Sequence, residues 1–115
     1  MNYILRKVDM GSDALNRVMT EAKISNGAKV LYTFLFGLRS GEIINNEKLI
    51  KDNVAVSRAM VNNYKRELKA LGLLHENKDG ESNIRFMYLG SLGVNALVYA
   101  KDWKRVEINN DFEDE

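Results

Sequence analysis

The stretch from Val56 to Leu74, VSRAMVNNYKRELKALGLL, constrains this chain more than any other. Ser57 can cap a helix N-terminus through its hydroxyl, and Gly72 offers a left-handed stop just past the last apolar position. Val61, Tyr64, Leu68 and Leu71 fall at i, i+3, i+7 and i+10, one stripe on a helix of about 3.6 residues per turn, so the spacing predicts a helix with one core-facing side. The other side carries Arg58, Asn62, Lys65, Arg66 and Lys69, with Glu67 the only acid among four bases. These are donors to phosphates and base edges. The plain alternative is a solvated face, because amphipathic helices normally show their charges to water.

Two further segments accompany this one in order. Ala28 to Tyr32 reads Ala-Lys-x-Leu-Tyr on a first helix, Asn46 to Ile50 reads Asn-Glu-x-Leu-Ile on a second, and Val-Ser-x-x-x-Val-x-x-Tyr-x-x-x-Leu closes on Gly-Leu-Leu. Over Ser25 to Gly90 the sequence resembles the winged helix-turn-helix DNA-binding domains of bacterial, plasmid and phage regulators and replication organisers. Met60 stands where that family commonly has a threonine. The resemblance implies a third helix lying in the major groove, a second helix bracing it across the backbone, and a wing. It also implies a small transcriptional or replication regulator that binds double-stranded DNA in a sequence-specific way.

On that reading Ser57, Arg58, Asn62 and Asn63 sit early enough on the third helix to reach base edges; Arg can fork onto guanine and Asn onto adenine. Lys48, Lys51, Lys65, Arg66, Lys69 and Lys78 are assigned to phosphates, where they give salt-sensitive affinity with little sequence choice. A homodimer is expected, because one short helix reads few base pairs. The competing class is a protein-interaction module that docks on a polymerase or host regulator through the wing, Trp103 or the acidic tail.

The chain has 115 residues, enough for one domain with a modest core. The expected fold is mainly α with a small antiparallel β-sheet, divided into an N-terminal extension (1–24), a winged-helix core (25–90), a C-terminal helix (91–108) and an acidic tail (109–115). Cysteine is absent, which excludes disulfides and thiolate chemistry, and one histidine cannot assemble a structural zinc site. No metal, no cofactor and no enzymatic activity are expected: His75 reads as a sheet residue, and no serine arrangement or phosphate-binding glycine loop accompanies it. With no apolar run long enough for a leader or a membrane span, a cytoplasmic protein without membrane contact is expected. Net charge is +1, but the last seven residues carry four acids and no base, leaving +5 for the rest. That tail either solubilises an end or folds over the basic helix.

In chain order, Met1 to Met10 suits a short strand, and Ser12 or Asp13 can cap a helix through Leu15, Val18, Met19 and Ala22. This extension is expected as a brace on the core or as a dimer contact. Ser25 starts the helix Asn26 to Arg39, apolar over most of its circumference and so in need of cover on more than one side. Ile43-Ile44 is expected to pair with the wing, and Asn46 to cap the second helix. Asn53 is placed in the turn that follows. Leu73 to Glu76 and Asn83 to Leu89 read as the wing strands, around a tip holding Lys78, Asp79 and Glu81 that is net acidic. Trp103 belongs either in a core groove or at a dimer seam.

Overall fold

The structure, a computed structural model, describes residues 2–7, 13–52, 54–78 and 85–101. Within them the elements run β1 (Tyr3–Lys7), α1 (Ala14–Glu21), α2 (Asn26–Gly37), β2 (Ile43–Ile44), α3 (Asn46–Lys51), α4 (Arg58–Ala70), β3 (Leu74–Lys78) and β4 (Arg85–Leu89). A fifth helix among the described residues, α5, covers 96–101. The described residues form an α/β fold of five helices and one mixed four-stranded sheet. Among the described residues no helix is long and apolar enough to cross a membrane. Ser12, Asn53, the wing tip at 79–84, Trp103 and the acidic tail lie outside the described residues, as does the side chain of Lys78.

Side-chain caps fix where three helices begin. The Ser25 hydroxyl accepts from the Ala28 N–H, the Asn45 amide oxygen from Lys48 and the Ser57 hydroxyl from Met60. Each cap satisfies a donor that the first turn leaves open, a contribution of about 1 kcal/mol. The second helix is thus capped by Asn45, and Asn46, expected in that role, is its first helical residue. At the other end of α2, the expected helix stops two residues early, at Gly37 instead of Arg39. The Lys7 ammonium donates to the carbonyls of Phe36 and Leu38, covering that end from β1.

The sheet order is β2-β1-β4-β3. β1 pairs antiparallel with β2 (Tyr3 opposite Ile44) but parallel with β4 (Leu5 opposite Met87), while β3 and β4 form the antiparallel hairpin (Leu74 opposite Leu89). This corrects two expectations: the sheet is mixed instead of purely antiparallel, and Ile43-Ile44 pairs with β1, which stands between it and the wing strands. The N-terminal segment is therefore a central strand, and Leu5 and Val18 are fully buried in the main core.

Register explains the layers, because strand residues alternate between faces. Leu5, Leu74, Met87 and Leu89 join Leu31, Leu35, Leu49, Val61 and Leu68 beneath the helices. On the opposite face Tyr88 packs with Ala96 and Ala100 of α5, with Phe86 and Tyr99 at its edge. Both faces of β4 are covered, so its last three residues are buried in succession instead of alternating with water. The Tyr32 hydroxyl, buried below α2, donates to the Gly90 carbonyl at 2.7 Å, and burial pushes its pKa up to about 12.

Candidate nucleic-acid interface

α4 runs for thirteen residues from the Ser57 cap to a stop at Leu71. The Gly72 N–H bonds the Lys69 carbonyl and the Leu73 N–H the Leu68 carbonyl, a Schellman arrangement closed by glycine at φ +74. It follows that Leu71, expected at the end of the apolar stripe, is 42% exposed, and fully buried Leu73 takes the place in the core. The buried stripe of α4 is Val61, Lys65 and Leu68, at i, i+4 and i+7.

Lys65 is the main departure from the expected site. Its side chain is only 7% exposed, and its ammonium donates to Glu76 at 2.9 Å and to the Asn46 amide oxygen at 3.1 Å, with the Tyr3 ring 5.3 Å away. A cation so enclosed is directed at the protein and not at a phosphate. The reason is the register of β3: alternation puts Leu74 and Glu76 on the same, helix-facing side, so an acid stands directly under α4. Lys69 reaches the other oxygen of the same carboxylate, but with 43% of its side chain exposed. Burial alone pushes the Glu76 carboxyl up; hydrogen bonds and charge from Lys69 and Lys65 outweigh that and hold it below the ordinary value.

The outward side of α4 keeps the remaining donors. Arg58, Asn62, Asn63, Arg66 and Lys69 are exposed. Arg66 donates to the Asn63 amide oxygen at 3.1 Å, so these two neighbours hold each other across one turn. Glu67, the lone acid of the helix, is turned away: its two oxygens accept from the Ser25 N–H at 2.8 Å and the Ser25 hydroxyl at 2.6 Å, which lowers its pKa. This clasp ties α4 to the start of α2, where Gly27 lies against the Tyr64 ring so closely that any Cβ there would overlap it. The one acid of α4 is in this way directed at the start of α2 and not at the row of donors.

Ser57 is committed to its cap and only half-buried. On α3, Lys51 is exposed and Lys48 stands 3.5 Å from Asp52. Arg58 pairs with Glu47 of α3 at 3.1 Å, both side chains mostly in water at 68% and 64% exposure. A hydrogen bond from its own backbone N–H, then the charge of Arg58, keep the Glu47 carboxyl below its usual range. Between α3, α4 and the sheet lies a polar hollow of about 240 Å³ lined by Tyr3, Asn46, Glu47, Arg58, Asn62, Lys65 and Glu76. Sequence reasoning missed Glu47, Asn46 and Glu76. For Glu76 a signal existed, the period-two spacing from Leu74; Glu47 has no local signal, because its partner is eleven residues away across a turn.

His75 stands on β3 opposite Tyr88, ring centroids 6.2 Å apart, and burial lowers its pKa. No protein family, curated protein or solved structure matches the chain.

Proposed function

We propose that this protein binds double-stranded DNA sequence-specifically as a small transcriptional or replication regulator, with α4 in the major groove. The observation that carries this reading is the outward face of α4. It shows Arg58, Asn62, Asn63, Arg66 and Lys69 to solvent, while the one acid of the helix is bound to Ser25 and one lysine is sequestered on Glu76. An α-helix fits the B-DNA major groove, and these side chains are donors suited to guanine, adenine and phosphate. The order α2-α3-α4 followed by the β3–β4 hairpin supports a winged helix-turn-helix, here with an extra central strand β1. In this reading Arg58, Asn62 and Asn63 read bases, and Arg66, Lys69, Lys48 and Lys51 hold phosphates. Lys65 is withdrawn from the contact set. A homodimer on two half-sites supplies the discrimination that one helix lacks.

Selection of bound sites from a random duplex pool tests the reading. A preferred site, palindromic for a dimer, and weak salt-sensitive binding to random duplex are expected. No binding even at low salt would end it. A second reading, docking on another protein, is favoured by Val94, Leu97 and Val98, large apolar side chains left exposed at and before α5.

A further inference from the structure

Resting on the DNA-binding reading, we infer that Glu47 is a positioning residue for base recognition: its carboxylate holds the Arg58 guanidinium in the orientation from which it forks onto a guanine. Glu47 lies in the first turn of α3 and Arg58 opens α4, so the ion pair spans the two helices. Glu47 Oε1 accepts from Arg58 Nη2 at 3.1 Å. A guanidinium carries five N–H donors in a rigid fork, and Nη2 has two of them. One goes to the carboxylate, and the second remains beside a neighbouring N–H as a two-donor edge matching O6 and N7 of guanine. The pair thus directs a long, exposed side chain toward α3 without using up the edge that reads. Ordering that side chain in advance removes part of the entropy lost on binding.

The same carboxylate acts against wrong registers. When Arg58 swings to a phosphate, Glu47 is left uncompensated at the rim of a polyanion, a repulsive element that penalises non-specific complexes. When Arg58 stays on guanine the pair survives and the penalty vanishes. Asn62, four residues along α4, is on the same side as Arg58 and lines the same hollow. Its amide is therefore placed for the neighbouring base pair.

The test measures binding of the wild type, Glu47→Ala, Glu47→Gln, Arg58→Ala and the Glu47→Ala/Arg58→Ala double variant. Each is titrated against a pool-selected duplex, its single-base-pair variants and a random duplex at one salt concentration. Thermal melts confirm folding. Glu47→Ala is expected to bind random duplex more tightly and the selected site less tightly, so that preference drops about tenfold, confined to the base pair that Arg58→Ala also stops reading. Glu47→Gln, which keeps an oxygen acceptor without the charge, retains part of that preference. In the Arg58→Ala background, removing Glu47 changes no preference. An equal rise on both duplexes, or a loss of preference that persists without Arg58, overturns the inference. A wild type that discriminates while Glu47→Ala discriminates equally well removes only the role of Glu47. A wild type that binds no duplex at low salt removes the DNA reading and this inference with it.

Discussion

Lys65 and Lys69 are the same residue type, one turn apart on the same helix, and both reach the carboxylate of Glu76. Yet one is enclosed between α4, α3 and the sheet while the other keeps 43% of its side chain in water. Forty degrees of further rotation and one turn of rise separate a structural cation from a surface one. The enclosed lysine is desolvated and needs its carboxylate and amide partners; the exposed one holds the same carboxylate while part of its side chain stays open to water and to another anion.

The contrast is broken most forcefully at Glu76. Glu76→Ala leaves the Lys65 ammonium buried without its counter-charge, with only the Asn46 amide oxygen and the Tyr3 ring beside it, and is expected to cost about 3 kcal/mol in urea unfolding, whereas Lys65→Met, which removes the charge instead of stranding it, costs under about 1.5 kcal/mol. Acid sharpens the same point. Because the folded carboxyl of Glu76 titrates below its ordinary value of 4.5, its contribution is complete above that pH and is lost as pH falls through the lower folded value. The stability difference between wild type and Glu76→Gln, measured across this range, therefore narrows on acidification.

Next in size is the edge of α4 proposed to read bases. Arg58→Ala is expected to weaken binding to a selected site by about 2 kcal/mol and to random duplex far less. Equal losses on both would contradict the base-reading role. Gly72→Ala, which forces a Cβ residue into φ +74 and against the Asn95 side chain, is expected to cost about 1 kcal/mol or more in thermal unfolding by disturbing the stop that sends Leu73 into the core. The smallest effect separates the two lysines directly: Lys69→Met lowers the slope of log affinity against log salt by about 1, while Lys65→Met leaves it unchanged. A slope lowered equally by both would return Lys65 to the phosphate contacts.

Local chemistry was legible in the residues themselves. Ser25 and Ser57 announced two helix starts, Gly72 a stop, and the alternation after it a hairpin, because each depends on neighbours within a few positions. The placement of β1 was not, since parallel pairing of Leu5 with Met87 joins residues at opposite ends of the chain. In the site, the row Arg58, Asn62, Asn63 and Arg66 followed from helical spacing and is exposed as that spacing requires. At Lys65 residue type and position point in opposite directions: Val61, Lys65 and Leu68 form an inward stripe at i, i+4 and i+7, and the register of Glu76 on β3 explains why a lysine is tolerated there. Glu67 stands out in the sequence only as the one acid among four bases, and its clasp on Ser25 shows that it belongs to the packing of α2 on α4.

In the proposed function the exposed side of α4 meets a duplex. Anisotropy titration of a labelled random duplex at two salt concentrations, with wild type and an Asn62→Asp/Arg66→Glu variant that melts at the same temperature, tests it most directly. The account predicts wild-type binding that weakens as salt rises and a variant whose binding is abolished at both concentrations. Undiminished binding by the variant, or none by the wild type at the lower salt, would contradict it.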